Sequence, residues 1–207
     1  TQSTLKFHRE TGSPRPTMLS ELAESALSMF RPRLQTMGIA VEMRVKGELP
    51  ICCMPSETQQ ILVNLISNSI ESFQANGRIV IGVRASRDWK NRFVRGMRVT
   101  ICDTGSGIGR ASLSHIFEPF FTTKPGTGTG LGLWVVAQLV ERHKGNVHVW
   151  SSLRPGASGT TFSIFLPFGK PASNQDSTPD AGVTESAPES RAAEDISMKL
   201  LVQSQHA

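Results

Sequence analysis

The sequence predicts a two-layer α/β sandwich in which three helices cover a mixed, mostly antiparallel sheet. Three observations point there. Three segments repeat apolar residues at the helical period, five or six short segments read as strands, and hairpin connections outnumber crossovers. A doubly wound parallel fold would need a crossover helix between successive strands, so it is disfavoured. A chain of 207 residues is long enough for one domain with a proper core plus flexible ends.

Residues 1–9, with Leu5 and Phe7 among polar neighbours, read as the last turns of a helix begun upstream, and the opening Thr1 suggests a piece of a longer protein. Thr11-Gly12-Ser13-Pro14-Arg15-Pro16 is a linker by composition. Leu22, Ala23, Ala26, Leu27, Phe30 and Leu34 give residues 20–35 a helical stripe, which Met37-Gly38 ends. Residues 39–45 alternate as a strand does, and residues 49–53 are expected to pair with them. Residues 55–73 form the strongest helix: Pro55 suits the first turn, and Ile61, Leu62, Leu65, Ile66, Ser69, Ile70 and Phe73 make its buried stripe. Residues 78–84 and 97–102 are strands across a polar hairpin. Residues 109–129 lack periodicity and are long for a compact domain, the mark of a mobile functional loop. A helix over 130–143 follows, then strands over 146–151 and 160–166 around the turn at Pro155-Gly156. From Pro171 the chain is rich in Ser, Pro, Ala and Glu and cannot bury enough surface to fold, so residues 170–207 are expected to be a disordered tail with a short helix over 194–202 at most.

No apolar run approaches the roughly 18 residues of a membrane span, and no signal segment opens the chain. Cys52, Cys53 and Cys102 are odd in number and lack metal spacing, which favours buried reduced thiols in a cytoplasmic compartment over disulfides. Charge is uneven. Of 22 basic and 17 acidic residues, 19 and 11 precede Lys170, whereas three basic (Lys170, Arg191, Lys199) face six acidic (Asp176, Asp180, Glu185, Glu189, Glu194, Asp195) from there on. Arg31, Arg33, Arg84, Arg87, Arg92, Arg95 and Arg98 are scattered and not interleaved with aromatics. We read them as solvated face with some attraction for a polyanionic ligand or an acidic partner, not as a nucleic-acid surface.

Two glycine-rich blocks carry the chemistry. Asp103-Thr104-Gly105-Ser106-Gly107-Ile108 ends the apolar run Met97 to Cys102, so a carboxylate stands where a strand yields to a turn. Gly126-Thr127-Gly128-Thr129-Gly130-Leu131-Gly132-Leu133 opens an apolar helix. Glycines bring backbone N–H groups close to an anion, and a helix start adds a favourable dipole. An acceptor for a base and donors for phosphates together fit a nucleotide.

With those residues in view, Asn64-Leu65-Ile66-Ser67-Asn68-Ser69 resembles the N box of sensor histidine kinases. Asp103 to Ile108 is similar to their first glycine box, Ile116-Phe117-Glu118-Pro119-Phe120-Phe121-Thr122-Thr123-Lys124 to their F box, and Gly128 to Leu133 to their second glycine box. The resemblance spans residues 18–167. It implies the Bergerat-type ATP-binding sandwich shared with gyrase, the heat-shock chaperone and mismatch-repair ATPases. It also divides the chain into the end of a dimerisation helix with its linker (1–16), a catalytic ATP-binding domain (17–169) and the tail.

Asn64 and Asn68 are four apart and share a helical face, with Glu71 a turn beyond. That stripe, with Glu57 and Gln60, reads either as a solvated polar face or as a ligand face; amide carbonyls suit hard Mg²⁺. The resemblance assigns the metal to Asn68, with Asn64 in a supporting place and Glu71 beside the nucleotide. Hydrolysing relatives have a glutamate at the position of Asn64, and an amide cannot take up the water's proton. The site is therefore expected to hold ATP for transfer. Asp103 either caps its own turn or binds the ligand; the resemblance gives its carboxylate to adenine's amine, with Gly105, Gly107 and Ile108 beside the base. Thr104 stands where many relatives have Asn. Phe117, Phe120 and Phe121 are expected to anchor the loop over the nucleotide, Lys124 to meet the terminal phosphates, and Gly128, Thr129, Gly130, Leu131, Gly132 and Leu133 to cradle them.

His8, His115, His143, His148 and His206 lack the acidic-apolar setting of a phosphoaccepting histidine and have no metal spacing. The implied reaction is thus phosphoryl transfer from Mg·ATP to a histidine on a dimerisation hairpin outside this chain, in a homodimeric kinase that serves a response-regulator receiver domain. Neither nucleic acid nor membrane contact is expected of this segment, which the resemblance places in the cytoplasm, as part of a membrane-anchored sensor or otherwise. An anti-sigma type of protein-serine kinase, a nucleotide-binding regulatory module and a clamp-forming ATPase are the alternatives on the same fold. The F box favours the histidine kinase.

Overall fold

The computed structural model describes residues 13–123 and 128–169. The helix end expected over 1–9, the tail, His8, His206, Lys124 and Gly126 lie outside the described residues. The element order is β1 (Arg15–Thr17), α1 (Leu19–Thr36), β2 (Ile39–Lys46), β3 (Ile51–Cys53), α2 (Pro55–Glu71), β4 (Gly77–Arg87), β5 (Arg95–Asp103), α3 (Arg110–Leu113), α4 (Gly132–Arg142), β6 (Asn146–Ser152) and β7 (Gly159–Pro167).

Five strands form one sheet in the order β2-β4-β5-β7-β6. Only β2–β4 is parallel; β4–β5, β5–β7 and β7–β6 are antiparallel. The mixed, mostly antiparallel sandwich is therefore present, with α1, α2 and α4 as its helical layer. Strand alternation turns Ile79, Ile81 and Val83 of β4, Val99 and Ile101 of β5, and Phe162 and Ile164 of β7 toward the helices, all nearly inaccessible. Against them α2 buries Ile61, Leu62, Leu65, Ile66 and Ile70, while α1 adds Leu19, Ala23, Ala26 and Leu34 and α4 adds Val136, Ala137 and Val140. Helix α2 packs on both α1 and α4, so one helix links the whole layer. No helix of the described residues is long and apolar enough to cross a membrane.

Four expectations need correction. β3 pairs antiparallel with β1, not with β2, and β1 occupies the end of the supposed linker. The Glu48 carboxylate accepts the Ser20 N–H at 2.8 Å, which ties the turn after β2 to the start of α1 and sends β3 away from the β2 edge. Helix α4 starts at Gly132, because Gly130 has φ +66°, a left-handed conformation that cannot continue a helix. The aperiodic stretch contains one short helix, α3. The three cysteines are free, but only Cys53 is buried; Cys102 lies exposed on the sheet face opposite the helices.

Candidate nucleotide-binding cleft

The end of β5 delivers Asp103 to a cleft of about 340 Å³ between α2, the start of α4 and the loop after β5. Asp103 is 4% exposed. Its Oδ1 accepts backbone N–H groups from Gly105 at 3.0 Å and Thr160 at 3.1 Å. The Ser72 hydroxyl, which caps α2 on the Ser69 carbonyl at 2.7 Å, lies 3.3 Å from the same oxygen. Oδ2 is buried with no hydrogen-bond donor among the described residues. Burial pushes the Asp103 carboxyl above its ordinary range, and the Gly105 and Thr160 amides, with the Ser69 and Ser72 hydroxyls nearby, offset this only in part; Ser69 Oγ, buried like Oδ2, makes no hydrogen bond of normal geometry to the carboxylate. A buried carboxylate oxygen without a donor is costly, so the site is chemically matched to a ligand that brings an N–H.

The loop after Asp103 is fixed tightly. Thr104 exchanges contacts with Arg78: its N–H donates to the Arg78 carbonyl, and its hydroxyl accepts the Arg78 N–H, each at 3.1 Å. The Ser106 N–H donates to the Ser72 carbonyl at 3.1 Å, and the Ile108 N–H to Ser151 Oγ at 2.7 Å. A Cβ on Gly105 would sit 1.8 Å from Ser72 Oγ, and one on Gly107 (φ +76°) 2.1 Å from the Ser152 carbonyl oxygen. These glycines thus let the loop lie against α2 and β6. Gly107 and Ile108 line the cleft; Gly105 stands behind it.

On the opposite wall, α2 presents Asn64, Ser67, Asn68, Glu71 and Ser72. Asn64 donates its amide N–H to the Gly132 carbonyl at 3.2 Å, and its Oδ1 accepts from Gln60 Nε2 at 3.3 Å, so its amide braces the start of α4. The Asn68 side chain makes no hydrogen bond to another described residue, and its Nδ2 would be 4.0 Å from a Cβ on Gly132. Glu71 accepts the Ser67 hydroxyl at 3.0 Å. No group of three or more His, Cys, Asp or Glu residues gathers among the described residues; the oxygen atoms that α2 turns to the cleft are those of Asn64, Ser67, Asn68 and Glu71, all hard donors of the kind that could hold a divalent cation.

Thr129, Gly130, Gly132 and Leu133 line the end of the cleft; Leu131 is the N-cap, and its N–H donates to Thr129 Oγ1 at 3.4 Å. The first-turn N–H groups of α4 have no intrahelical acceptor, which makes this end attractive to an anion. Phe117 is buried in the core and Phe121 lines the cleft. Phe120, expected as a third anchor, is 73% exposed and outside the lining. Its backbone takes a left-handed φ of +65° and comes so close to Gly130 that a Cβ there would be 2.4 Å from its carbonyl carbon. Phe120 therefore shapes the loop through its main chain.

Sequence reasoning missed Ser72, Ser106, Thr160 and Phe162. Thr160 reaches Asp103 only because β7 pairs with β5 in the register Asp103↔Thr160, a long-range match no local pattern announces. Among the described histidines, His115 pairs with Glu118 at 2.9 Å, His143 faces Glu57 at 3.3 Å, and His148 packs on Trp89. None lines the cleft.

The sequence profile of histidine kinase-, DNA gyrase B- and HSP90-like ATPases matches residues 54–170. The chain is 35% identical over 150 residues to the sensor histidine kinase ZraS of Escherichia coli K12, covering 72% of this chain and 30% of that protein. With the signal transduction histidine-protein kinase AtoS of the same strain it shares 32% identity over 180 residues, 84% of this chain and 27% of AtoS. The chain thus spans less than a third of the length of either relative. Among solved structures, a mycobacterial sensor histidine kinase, MprB, superposes with a TM-score of 0.62 at 27% identity over 74% of this chain and 97% of that one. Full-length ShkA in complex with AMPPNP superposes with a TM-score of 0.63 at 28% identity, over 78% of this chain and 32% of ShkA.

Proposed function

The chain belongs to the histidine kinase-, DNA gyrase B- and HSP90-like ATPases, an ATP-binding family, and on that premise we propose that residues 17–169 are the catalytic domain of a sensor histidine kinase. It transfers the γ-phosphate of ATP to a histidine imidazole on a dimerisation domain of the full-length, homodimeric protein, from which a response-regulator receiver domain takes it. This work is done in the cytoplasm. The observation that carries the reading is the buried, donorless Oδ2 of Asp103 at one end of a cleft whose other end is the start of α4.

In this reading Asp103 accepts adenine's exocyclic amine, and the ring lies along Gly107 and Ile108. Thr129, Gly130, Leu131, Gly132 and Leu133 hold the phosphates at the helix start, with Lys124 as a further cation. Asn68, with Glu71 nearby, would hold Mg²⁺, which when bound would supply charge neutralisation at the phosphates. Asn64 keeps α4 in register with α2. Its amide is engaged with the Gly132 carbonyl, so no base stands there to activate water, which favours transfer over hydrolysis. An imidazole nitrogen is already a competent nucleophile. The domain's contribution is positioning and charge neutralisation.

The test is incubation with γ-labelled ATP and Mg²⁺, with and without the matching dimerisation hairpin. The chain alone should bind ATP without labelling itself, and the hairpin should acquire acid-labile label. Asn68→Ala should keep the fold and some nucleotide affinity but lose most transfer. Acid-stable serine label on an added protein would replace this reading with the serine-kinase alternative.

A further inference from the structure

The five-stranded sheet ends on one side at β2, and among the described residues no strand pairs with its outer edge. All eight residues of β2, Ile39 to Lys46, pair with β4 on the inner side. An open edge of that length presents a row of unpaired backbone N–H and C=O groups, a template for another strand. Edges that avoid such pairing carry a proline, a bulge, a very short strand or charge. β2 has no proline, and its register with β4 runs unbroken from Ile39↔Gly77 to Lys46↔Arg84. Only charge is left to protect it, and its charges are of both signs.

Alternation divides β2 into two faces. Val41, Met43 and Val45 stand opposite Ile79, Ile81 and Val83 and so face the helices, yet Val41 is 37% and Val45 49% exposed. The helical layer therefore stops short of the β2 edge and leaves apolar surface there. The other face carries Glu42, Arg44 and Lys46. Glu42 accepts from Arg44 Nε at 2.5 Å and from the Arg78 guanidinium of β4. Those two arginines hold its carboxyl down at about 2, so it is ionised at neutral pH.

Two copies of this edge fit each other in one register. Residues directly opposite in an antiparallel pair face the same side of the sheet, so a two-fold axis between copies must pass through a residue. Centring on Glu42 sets that carboxylate against its own copy, and centring on Arg44 does the same with the guanidinium. Like charges directly opposite are destabilising. Centring on Met43 instead sets Glu42 against the partner's Arg44 and Val41 against the partner's Val45, with Ala40 against the partner's Lys46. No like charges then meet directly, and the exposed valines cover each other. The formal net charge of +5 on each copy opposes approach at long range. At 0.15 M salt screening over about 8 Å weakens that repulsion, whereas facing side chains lie within that distance.

We propose that β2 is an interaction surface for a second copy of this chain, joined edge to edge by antiparallel pairing centred on Met43 into one continuous sheet. No residue of β2 lines the nucleotide cleft, so the proposal does not rest on the nucleotide reading. A single strand pair buries less than the roughly 1,200 Å² of a standard interface, so the association is weak and concentration-dependent. Sedimentation velocity on the full chain in 0.15 M salt, up to about 1 mM, should show monomer giving way to dimer. Glu42→Arg and Arg44→Glu should each push that transition about tenfold higher in concentration. Mixing the two variants should restore it as a heterodimer, because every facing pair is again opposite in sign. A second measurement does not depend on those charges. In a Cys102→Ser background, Met43→Cys should form a disulfide-linked dimer on mild oxidation faster than Val45→Cys, although Val45 is the more exposed. A chain that stays monomeric, single variants that dimerise like the parent, a mixture that does not recover, or faster coupling through Val45→Cys would each overturn it.

Discussion

Asn64 and Gly132, sixty-eight positions apart, are joined by a hydrogen bond of 3.2 Å from the side-chain amide to the carbonyl. The bond ties the polar face of α2 to the first residue of the helix whose start faces the cleft. Asn64→Asp replaces the donor with a second acceptor and sets a carboxylate against that carbonyl. The variant should lose about 1–3 kcal/mol of stability, read as a lower urea midpoint, and gain less stability from ATP than the parent. Equal midpoints would mean that the bond does not brace α4.

Asp103→Asn separates ligand binding from stability. The folded-state pKa of Asp103 is raised above its ordinary 3.8, so its stabilising contribution is present below pH 3.8 and lost as pH rises through the folded value. Above the ordinary value, the raised pKa makes Asp103 a net cost to the ligand-free fold. The variant should therefore melt no lower than the parent at pH 7, with any advantage shrinking toward pH 3.8. ATP affinity should fall by about 1–3 kcal/mol, roughly five- to 150-fold, because the acceptor for the amine is gone. Calorimetric titration showing parental affinity refutes the assignment.

Gly105→Ala puts a methyl group 1.8 Å from Ser72 Oγ and 2.6 Å from Ser72 Cβ. The expected cost is about 1–3 kcal/mol, with weakened ATP binding as the loop leaves α2. The Ser72→Gly, Gly105→Ala double variant should recover much of that loss. A double-mutant cycle measures the coupling directly; additive effects would show that the two residues do not crowd each other.

His148 supplies a pH dependence of opposite sign. Its folded-state pKa is lowered from the ordinary 6.5 to about 4, chiefly by burial beside Trp89. The stability it contributes is present above pH 6.5 and lost as pH falls through about 4. His148→Gln should flatten the fall in urea midpoint across that window, and a slope equal to the parent's would contradict it.

The helices and most strands were legible because their periodicity is local. The stripe Ile61, Leu62, Leu65, Ile66 and Ile70 is the buried face of α2, and Ile79, Ile81 and Val83 alternate inward as the pattern requires. The wall of the cleft that carries Asn64, Asn68 and Glu71 was legible for the same reason. What stayed hidden depends on distant pairing or on backbone conformation. Thr160 meets Asp103 through strand register, β3 leaves β2 because Glu48 holds Ser20, and Phe120 is turned outward by a left-handed φ. The polar hairpin concealed most, since nothing in Asp88-Trp89-Lys90 shows that its indole will cover Arg98.

The parallel pairing of β2 with β4, from Ile39 opposite Gly77 to Lys46 opposite Arg84, has a kinetic consequence. The chain between those strands contains α2, so the β2 edge can zip only after a long loop has closed around that helix. Asn64 and Asn68 therefore belong to the part of the molecule that pays its ordering entropy late. Their helix and the β2 edge should open together in hydrogen exchange, and a nucleotide bound in the cleft would slow exchange at an edge strand that it never touches.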